Sequence, residues 1–509
     1  MMFKKKYFIY LCLLFLIALC IRFLFFPKNV YFGFDQARDA YASLAVAHGD
    51  LRIIGPPTAI EGLNHGPLYY YIFAPIYLIG RGNPEWIAAF LRIVNSLGIF
   101  LVFVIGTIVF NKKVGLIAAL FYAFSFEQIQ YAIFLNHPSL AVISVLIFYL
   151  GLSLLIFRNN EKGFMIALIG LALSIQFEFV MTYLFAVSLI TYLVFRKKFL
   201  KIRKKFVFEG FGFFVLILSS FILSEIKFNF RGIKTVVNVV SNIGQQKQSV
   251  NYLHNILFIL KRSINDNLFS TDKFFWVFIL LLIFTVGYFC IKNSSRKKIV
   301  FLSIWLSGGI LPYIRNTSTL PLYYYTAGAS VSLIIFFALL VEKSFSKNKI
   351  MGIVLLIIPL ISNIYLIRKY NPVGSIPEVN VQSGMLLSDE KRVVDYVYNK
   401  ADNEPFSVNA LTMPFYVNTT WSYLFEWYGQ SQYHYLPVWG GTQALGYPGN
   451  LEVEKARSKL PQKIFLIIEP TRGIESYLID KFFTEENYFT RITEERNFGG
   501  FKVQTREKI

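Results

Sequence analysis

Charge is scarce in this chain and unevenly signed. Only 16% of its 509 residues are Asp, Glu, Lys or Arg, and 51 basic residues outnumber 30 acidic ones. The three cysteines, Cys12, Cys20 and Cys290, all fall inside apolar runs. That placement offers neither metal spacing nor a disulfide framework and leaves them as packing or lipid-facing residues. There are five histidines, His48, His65, His137, His254 and His434, and no His-x-x-x-His pair. A dedicated His-rich metal centre is therefore not expected, although one carboxylate–histidine site is compatible with the sequence. A Walker-type phosphate loop, a Gly-x-Gly-x-x-Gly after a strand and a Gly-x-Ser-x-Gly elbow are all missing, as are internal repeats and low-complexity segments.

What is abundant is apolar surface. The chain is 55% hydrophobic and 18% aromatic, with a mean hydropathy of +0.50. A soluble domain rarely sustains this, whereas a polytopic membrane protein requires it. The net charge of +21 lies in short Lys/Arg clusters between apolar runs, the pattern of cytoplasmic loops rather than of a nucleic-acid surface.

The first apolar run, about 7–26, follows Lys4, Lys5 and Lys6. It is long enough to span and lacks a small-residue cleavage site, so no removable signal peptide is expected. Residues from Pro27 to about Glu85 then lie outside. Within them Pro67–Gly80 is apolar but about fourteen residues long, short of the roughly 20 that a span needs. Loop charges decide its role. If it lies at the interface, the basic loops at 111–113, 158–162, 196–205, 292–298 and 342–349 all become cytoplasmic; if it spans, all five move outside.

The spans expected are about 7–26, 86–110, 114–131, 139–157, 163–178, 179–195, 206–225, 274–291, 299–315, 320–341 and 350–367, some eleven helices with the N-terminus inside. The 163–195 segment is divided near Gln176-Phe-Glu178 because one helix there would invert the later basic loops. Outer loops fall at about 27–85 and 226–273. Composition changes after about Tyr370. A helix opening at Ser388 and strands at Pro405–Ala410, Ile464–Pro470 and Phe501–Gln504 predict a small extracytoplasmic α/β domain over 370–509.

On this topology Asp35, Asp39, His65, His137, Gln176, Glu178, Glu225 and Arg315 all map to outer loops or outer helix ends. Ionisable groups near membrane depth are costly and mark candidate functional positions. Together they predict a polar cleft opening outward at the lipid boundary. The stretch Phe32–Tyr41 is central to it. Asp35 and Asp39 are four residues apart, with Arg38 three from Asp35, so a helix would align all three, either as a solvated salt-bridged surface or as a site. In Asn64-His-Gly-Pro, the Gly-Pro pair sets Asn64 and His65 at the start of a helix, where anions are favoured. Arg92, read as near the cytoplasmic start of the second span, is expected to snorkel or to pair within the bundle.

The order Gly33-Phe-Asp-Gln-Ala-Arg-Asp-Ala40, His65-Gly-Pro-Leu-Tyr-Tyr-Tyr71 and Leu91-Arg-Ile-Val-Asn-Ser-Leu97 resembles the protein O-mannosyltransferase and aminoarabinose transferase family of C-superfamily membrane glycosyltransferases. Gln176-Phe-Glu178, Ser224-Glu225 and Pro321-Leu-Tyr-Tyr-Tyr325 also fit, and the likeness covers about the first 370 residues. The resemblance implies that a sugar on polyprenyl phosphate is attacked by a glycan, lipid or protein acceptor at the outer membrane face, with inversion. It places the catalytic base at Asp35. It also implies substrate contacts for Arg38, Asp39, His65, Gln176, Glu178 and Glu225. The leaving phosphate would fall to Arg315 and Tyr324, with Arg231 and Lys234 as further candidates. It brings no expected metal or other cofactor, a divalent cation being compatible. Many relatives carry a second acid where this chain has Gln36, and Asp39 is the candidate substitute. A transporter or flippase is the alternative; such folds often show repeats and broken helices near the midplane.

Overall fold

The computed structural model describes residues 5–241, 252–271, 275–276, 279–280, 287, 293–313, 323–376, 382–470 and 473–509. Helices dominate up to Tyr370: α1 (Lys5–Arg22), α2 (Phe34–Ala47), α3 (Leu68–Ile79), α4 (Pro84–Val109), α5 (Lys112–Phe124), α6 (Phe126–Ile133), α7 (Pro138–Arg158), α8 (Lys162–Phe177), α9 (Leu184–Phe199), α10 (Lys204–Ile217), α11 (Ser219–Lys227), α12 (Arg231–Ser241), α13 (Tyr252–Asn265), α14 (Asn293–Gly308), α15 (Val331–Lys347) and α16 (Lys349–Tyr370). Polar caps start several of them. Asn83 accepts from the Glu85 amide ahead of Pro84, Asn111 from Lys113 and Val114, and Asn348 from Ile350 and Met351.

Eleven spans were expected. Among the described residues four helices are long and apolar enough to cross a membrane, or up to six if each of two bent pairs counts as one. The bent pairs are α5–α6, at 53°, and α10–α11, at 51°. In sequence these were single apolar runs, 114–131 and 206–225. The first bends because Ser125 leaves the helix, and its Oγ accepts from the Gln128 amide to start α6. The expected span 274–291 and the ends of its neighbours at 315 and 320 fall largely or wholly outside the described residues. The short Pro67–Gly80 run is the twelve-residue α3. The break near Gln176-Phe-Glu178 is present: α8 ends at Phe177 and Glu178 is extended, at φ −148° and ψ 109°.

Close packing rests on small residues. A Cβ at Gly151 would meet the Ala167 backbone, and one at Gly170 the Phe148 backbone, so α7 and α8 approach at main-chain distance. In the bundle Arg22 and Arg92 are fully buried and, among the described residues, hydrogen-bond to amide and carbonyl oxygens rather than to carboxylates. Arg22 donates to Asn95 Oδ1 and the Ala123 carbonyl, Arg92 to the Arg22 carbonyl and Asn29 Oδ1. Arg92 therefore does not snorkel. It sits just over two turns into α4, whose start follows the loop read as outside and so is not a cytoplasmic end, and it ties the C-terminal end of α1 to the loop that follows.

Beyond Asn371 come α17 (Leu387–Ala401), α18 (Thr419–Leu424), α19 (Ser476–Phe489) and a five-stranded sheet of order β2-β1-β3-β5-β4. Strands β1 (Phe406–Leu411), β2 (Val438–Trp439) and β3 (Lys463–Ile468) are parallel; β5 (Phe501–Lys508) runs antiparallel to β3 and to β4 (Thr490–Phe498). Ser388 does not cap α17 as expected. The helix begins at Leu387, and Ser388 Oγ donates to the Lys28 carbonyl. This part is tied to the bundle through the segment before α2. Phe32 N–H donates to Met385 O at 3.0 Å and Leu387 N–H to Val30 O at 2.9 Å. Tyr41 donates to Glu426 at 2.8 Å, and Lys391 pairs with Glu85 at 2.6 Å. Helix α2 thus lies between the bundle and the sheet-bearing segment.

Candidate active site

Gly33 ends an extended segment and α2 begins at Phe34. Gln36 fixes that start: its Oε1 accepts from Gly33 N–H at 3.1 Å and its Nε2 donates to Leu135 O at 2.9 Å. It is buried. An ionised carboxylate at this position could not donate to Leu135 O, so the amide suits the place where the resemblance led to the expectation of a second acid. One turn on, Asp39 is also buried, accepting from Arg38 Nε (2.8 Å), Tyr69 (2.7 Å) and Tyr70 (3.3 Å). Arg38 reaches the other way to Asp35 at 2.7 Å. The Asp35 side chain is 52% exposed against 3% for Asp39. One guanidinium therefore joins an anchored carboxylate to an open one; burial works against its charge, and Asp39 and then Asp35 outweigh burial and hold Arg38 charged.

Asp35 and Arg38 line a cleft of about 320 Å³ with His65, Asn136, His137, Glu178, Tyr324 and Tyr325. Asp39, Gln176 and Glu225 do not line it. His65 precedes α3, His137 precedes Pro138 of α7, and Glu178 follows α8, so three polar helix ends converge. His65 Nδ1 accepts from Phe179 N–H at 3.0 Å, and His137 Nδ1 donates to Phe177 O at 2.5 Å. Their rings stand 4.1 Å apart. Burial, then the neighbouring His137 and Arg38, pushes His65 well below the usual imidazole range. Burial likewise takes His137 down to about 4 and Glu178 up to about 8.

Tyr324 reaches the cleft while stacking on Phe134. Arg315 lies outside the described residues. Gln176 is a strut rather than a wall: its Nε2 donates to Ser220 Oγ and Ile217 O, and its carbonyl accepts from Gly66 N–H at 2.9 Å. Glu225 accepts from Ile233 N–H at 3.1 Å near the start of α12 and borders a second, apolar cavity of about 730 Å³. That cavity is walled by residues such as Phe185, Phe221, Ile222, Val236 and Val237, and Arg231 stands at its rim, also pairing with Glu61 at 3.4 Å. Lys234 lines neither cavity. His65 and Phe179 line both. Asn136 and Tyr325 were missed in the sequence, and His137 was noted only as an edge residue; the His-Pro step repeats the logic of His65-Gly-Pro and was the available signal.

Residues 64–223 match the family described as dolichyl-phosphate-mannose-protein mannosyltransferase. That stretch runs from Asn64 into α11 and includes His65, His137 and Glu178. Across the whole chain the similarity is in shape. ArnT from Cupriavidus metallidurans in the apo state superposes with a TM-score of 0.62 at 10% identity, covering 97% of each chain. The same protein bound to undecaprenyl phosphate gives 0.62 at 10%, covering 99% of this chain and 98% of its own. The chain therefore shares the fold of ArnT. No curated protein matches the chain by sequence. Within this fold, the polar cleft sits where the start of α2, the start of α7 and the break after α8 meet.

Proposed function

We propose that the chain is an inverting glycosyltransferase that moves a sugar from a polyprenyl-phosphate donor to an acceptor at the outer face of the cytoplasmic membrane. The observation that carries this is the junction at His65 and Phe179, where a polar cleft holding an open carboxylate meets an apolar cavity more than twice its volume. A lipid-linked sugar needs such a pair: apolar walls for the isoprenoid, polar groups for phosphate and sugar. The match to a structure holding undecaprenyl phosphate supports the same reading.

In this mechanism Asp35 is the general base. It is the acceptor-only, half-exposed group of the cleft, and Arg38 holds one of its oxygens. The base removes the proton of the acceptor nucleophile as that atom bonds to the anomeric carbon and the C–O bond to phosphate breaks. Charge builds on the departing phosphate. Arg38 and the Tyr324 hydroxyl are the cleft's donors for it, with Arg315 a further candidate from sequence. The division near residue 370, the eleven spans and the outward position of the C-terminal part belong to this proposal. The test is to reconstitute the full chain in vesicles with polyprenyl-phosphate-linked sugars and candidate acceptors. Consumption of the lipid-linked sugar with product formation supports it; transbilayer movement of the lipid without product favours the flippase alternative.

A further inference from the structure

Transfer by Asp35 leaves three cleft residues without a task. His65, His137 and Glu178 present ligand atoms that all lie within 4.8 Å of one another. They come from three segments, and all are buried, at 7%, 7% and 2% exposure. Their backbone partners set the tautomers. His137 gives its Nδ1 proton to Phe177 O, which leaves the Nε2 lone pair free. Such an outer bond is the usual partner of a metal-bound imidazole, fixing the ring with its lone pair aimed inward. His65 Nδ1 stands 3.6 Å from Glu178 Oε1 and holds only one amide hydrogen. Glu178 Oε2 is fully enclosed, 3.9 Å from His137, and has no hydrogen-bond partner among the described residues. A buried oxygen of a carboxyl group is rarely left so unless something else binds it.

We propose that His65, His137 and Glu178 hold a divalent transition-metal ion, Zn²⁺ being the one their chemistry fits best. Two imidazoles and one carboxylate form a borderline donor set that disfavours Mg²⁺ and Ca²⁺, which take oxygen ligands. Three protein ligands leave a further coordination position, and here it faces the cleft that Asp35 and Tyr324 line. His65 joins by exchanging its Phe179 amide contact for the ion. The positive charge of Arg38 opposes a cation, and its two carboxylates, Asp35 and Asp39, offset that. Any service of the ion to a lipid phosphate rests on the glycosyl-transfer reading; its binding does not.

The test uses the full-length protein in detergent, stripped with EDTA, dialysed against Zn²⁺ and then desalted, with bound metal read by mass spectrometry and unfolding by intrinsic fluorescence. One Zn²⁺ per chain and a raised midpoint are expected for wild type and for Asp35→Asn, and at least a tenfold weaker retention for Glu178→Gln and His137→Ala. Glu178→Gln keeps the side-chain shape, so it reports even where His137→Ala fails to fold. No Zn²⁺ retained by wild type, equal retention by Glu178→Gln, or loss in Asp35→Asn overturns the assignment. A protein that binds Zn²⁺ but never transfers sugar keeps the metal site and sinks the transfer reading; one that transfers without retaining metal does the reverse.

Discussion

Asp35 and Asp39 look equivalent in sequence, and Asp39→Asn separates them. Asp39 is 2% exposed and receives three side-chain hydrogen bonds, one from a guanidinium. The amide keeps the size of the carboxylate but turns one acceptor into a donor facing donors. Removing one partner of a buried ion pair costs about 3–5 kcal/mol, because the remaining charge stays enclosed. The Asp35–Arg38 pair is half exposed and is worth about 0–1 kcal/mol. Asp39→Asn should therefore lower the thermal midpoint in detergent by on the order of 5–10 °C, and Asp35→Asn by about 2 °C or less. Wild-type melting of Asp39→Asn would refute the claim that Asp39 anchors Arg38.

Gly66→Ala tests the seam between the His65 loop and α8. A Cβ there would overlap Gln176 Oε1 and approach the Gln176 carbonyl at 2.9 Å. Overpacking of this kind costs about 1–3 kcal/mol, and transfer should fall more than stability does, as the junction of the two cavities at His65 shifts; unchanged transfer rates contradict this. A pH effect is expected away from the cleft. Both oxygens of the buried Glu390 lack hydrogen-bond partners among the described residues, and burial, then Glu469, pushes its carboxyl well up. Burial takes Glu469 to about 7. With folded values raised above unfolded ones, stability is full below about pH 4.5 and declines as pH rises through 7. Glu390→Gln should flatten that decline in the melting midpoint between pH 5 and 8, and an unaltered slope would count against it. For the topology, a cysteine at Asn111 should label only from the cytoplasmic side; labelling from outside inverts the scheme.

The long helices were legible because apolar runs such as those of α4, α7 and α16 admit no other element, and the break near Glu178 was legible because one unbroken helix there would invert the later basic loops. The bend at Ser125 was not, since one serine inside an apolar run is ordinary. In the site, the i,i+3 spacing of Asp35 and Arg38 foretold their pair. Spacing also put Asp35 and Asp39 on one face, and only tertiary packing, with Tyr69 and Tyr70 closing over one of them, tells them apart. Gln36 looked like a defect because its partner, Leu135, is 99 residues away. His65, His137 and Glu178 likewise meet only through the packing of α3, α7 and α8, which no local pattern encodes.

The central claim is that the open carboxylate of the cleft performs the transfer. Its most direct measurement is single-turnover sugar transfer from a polyprenyl-phosphate donor by wild type and Asp35→Asn at equal folded concentration. Loss of a general base predicts a rate lower by roughly 10²–10⁴-fold with the melting midpoint preserved. Wild-type transfer by Asp35→Asn would contradict it.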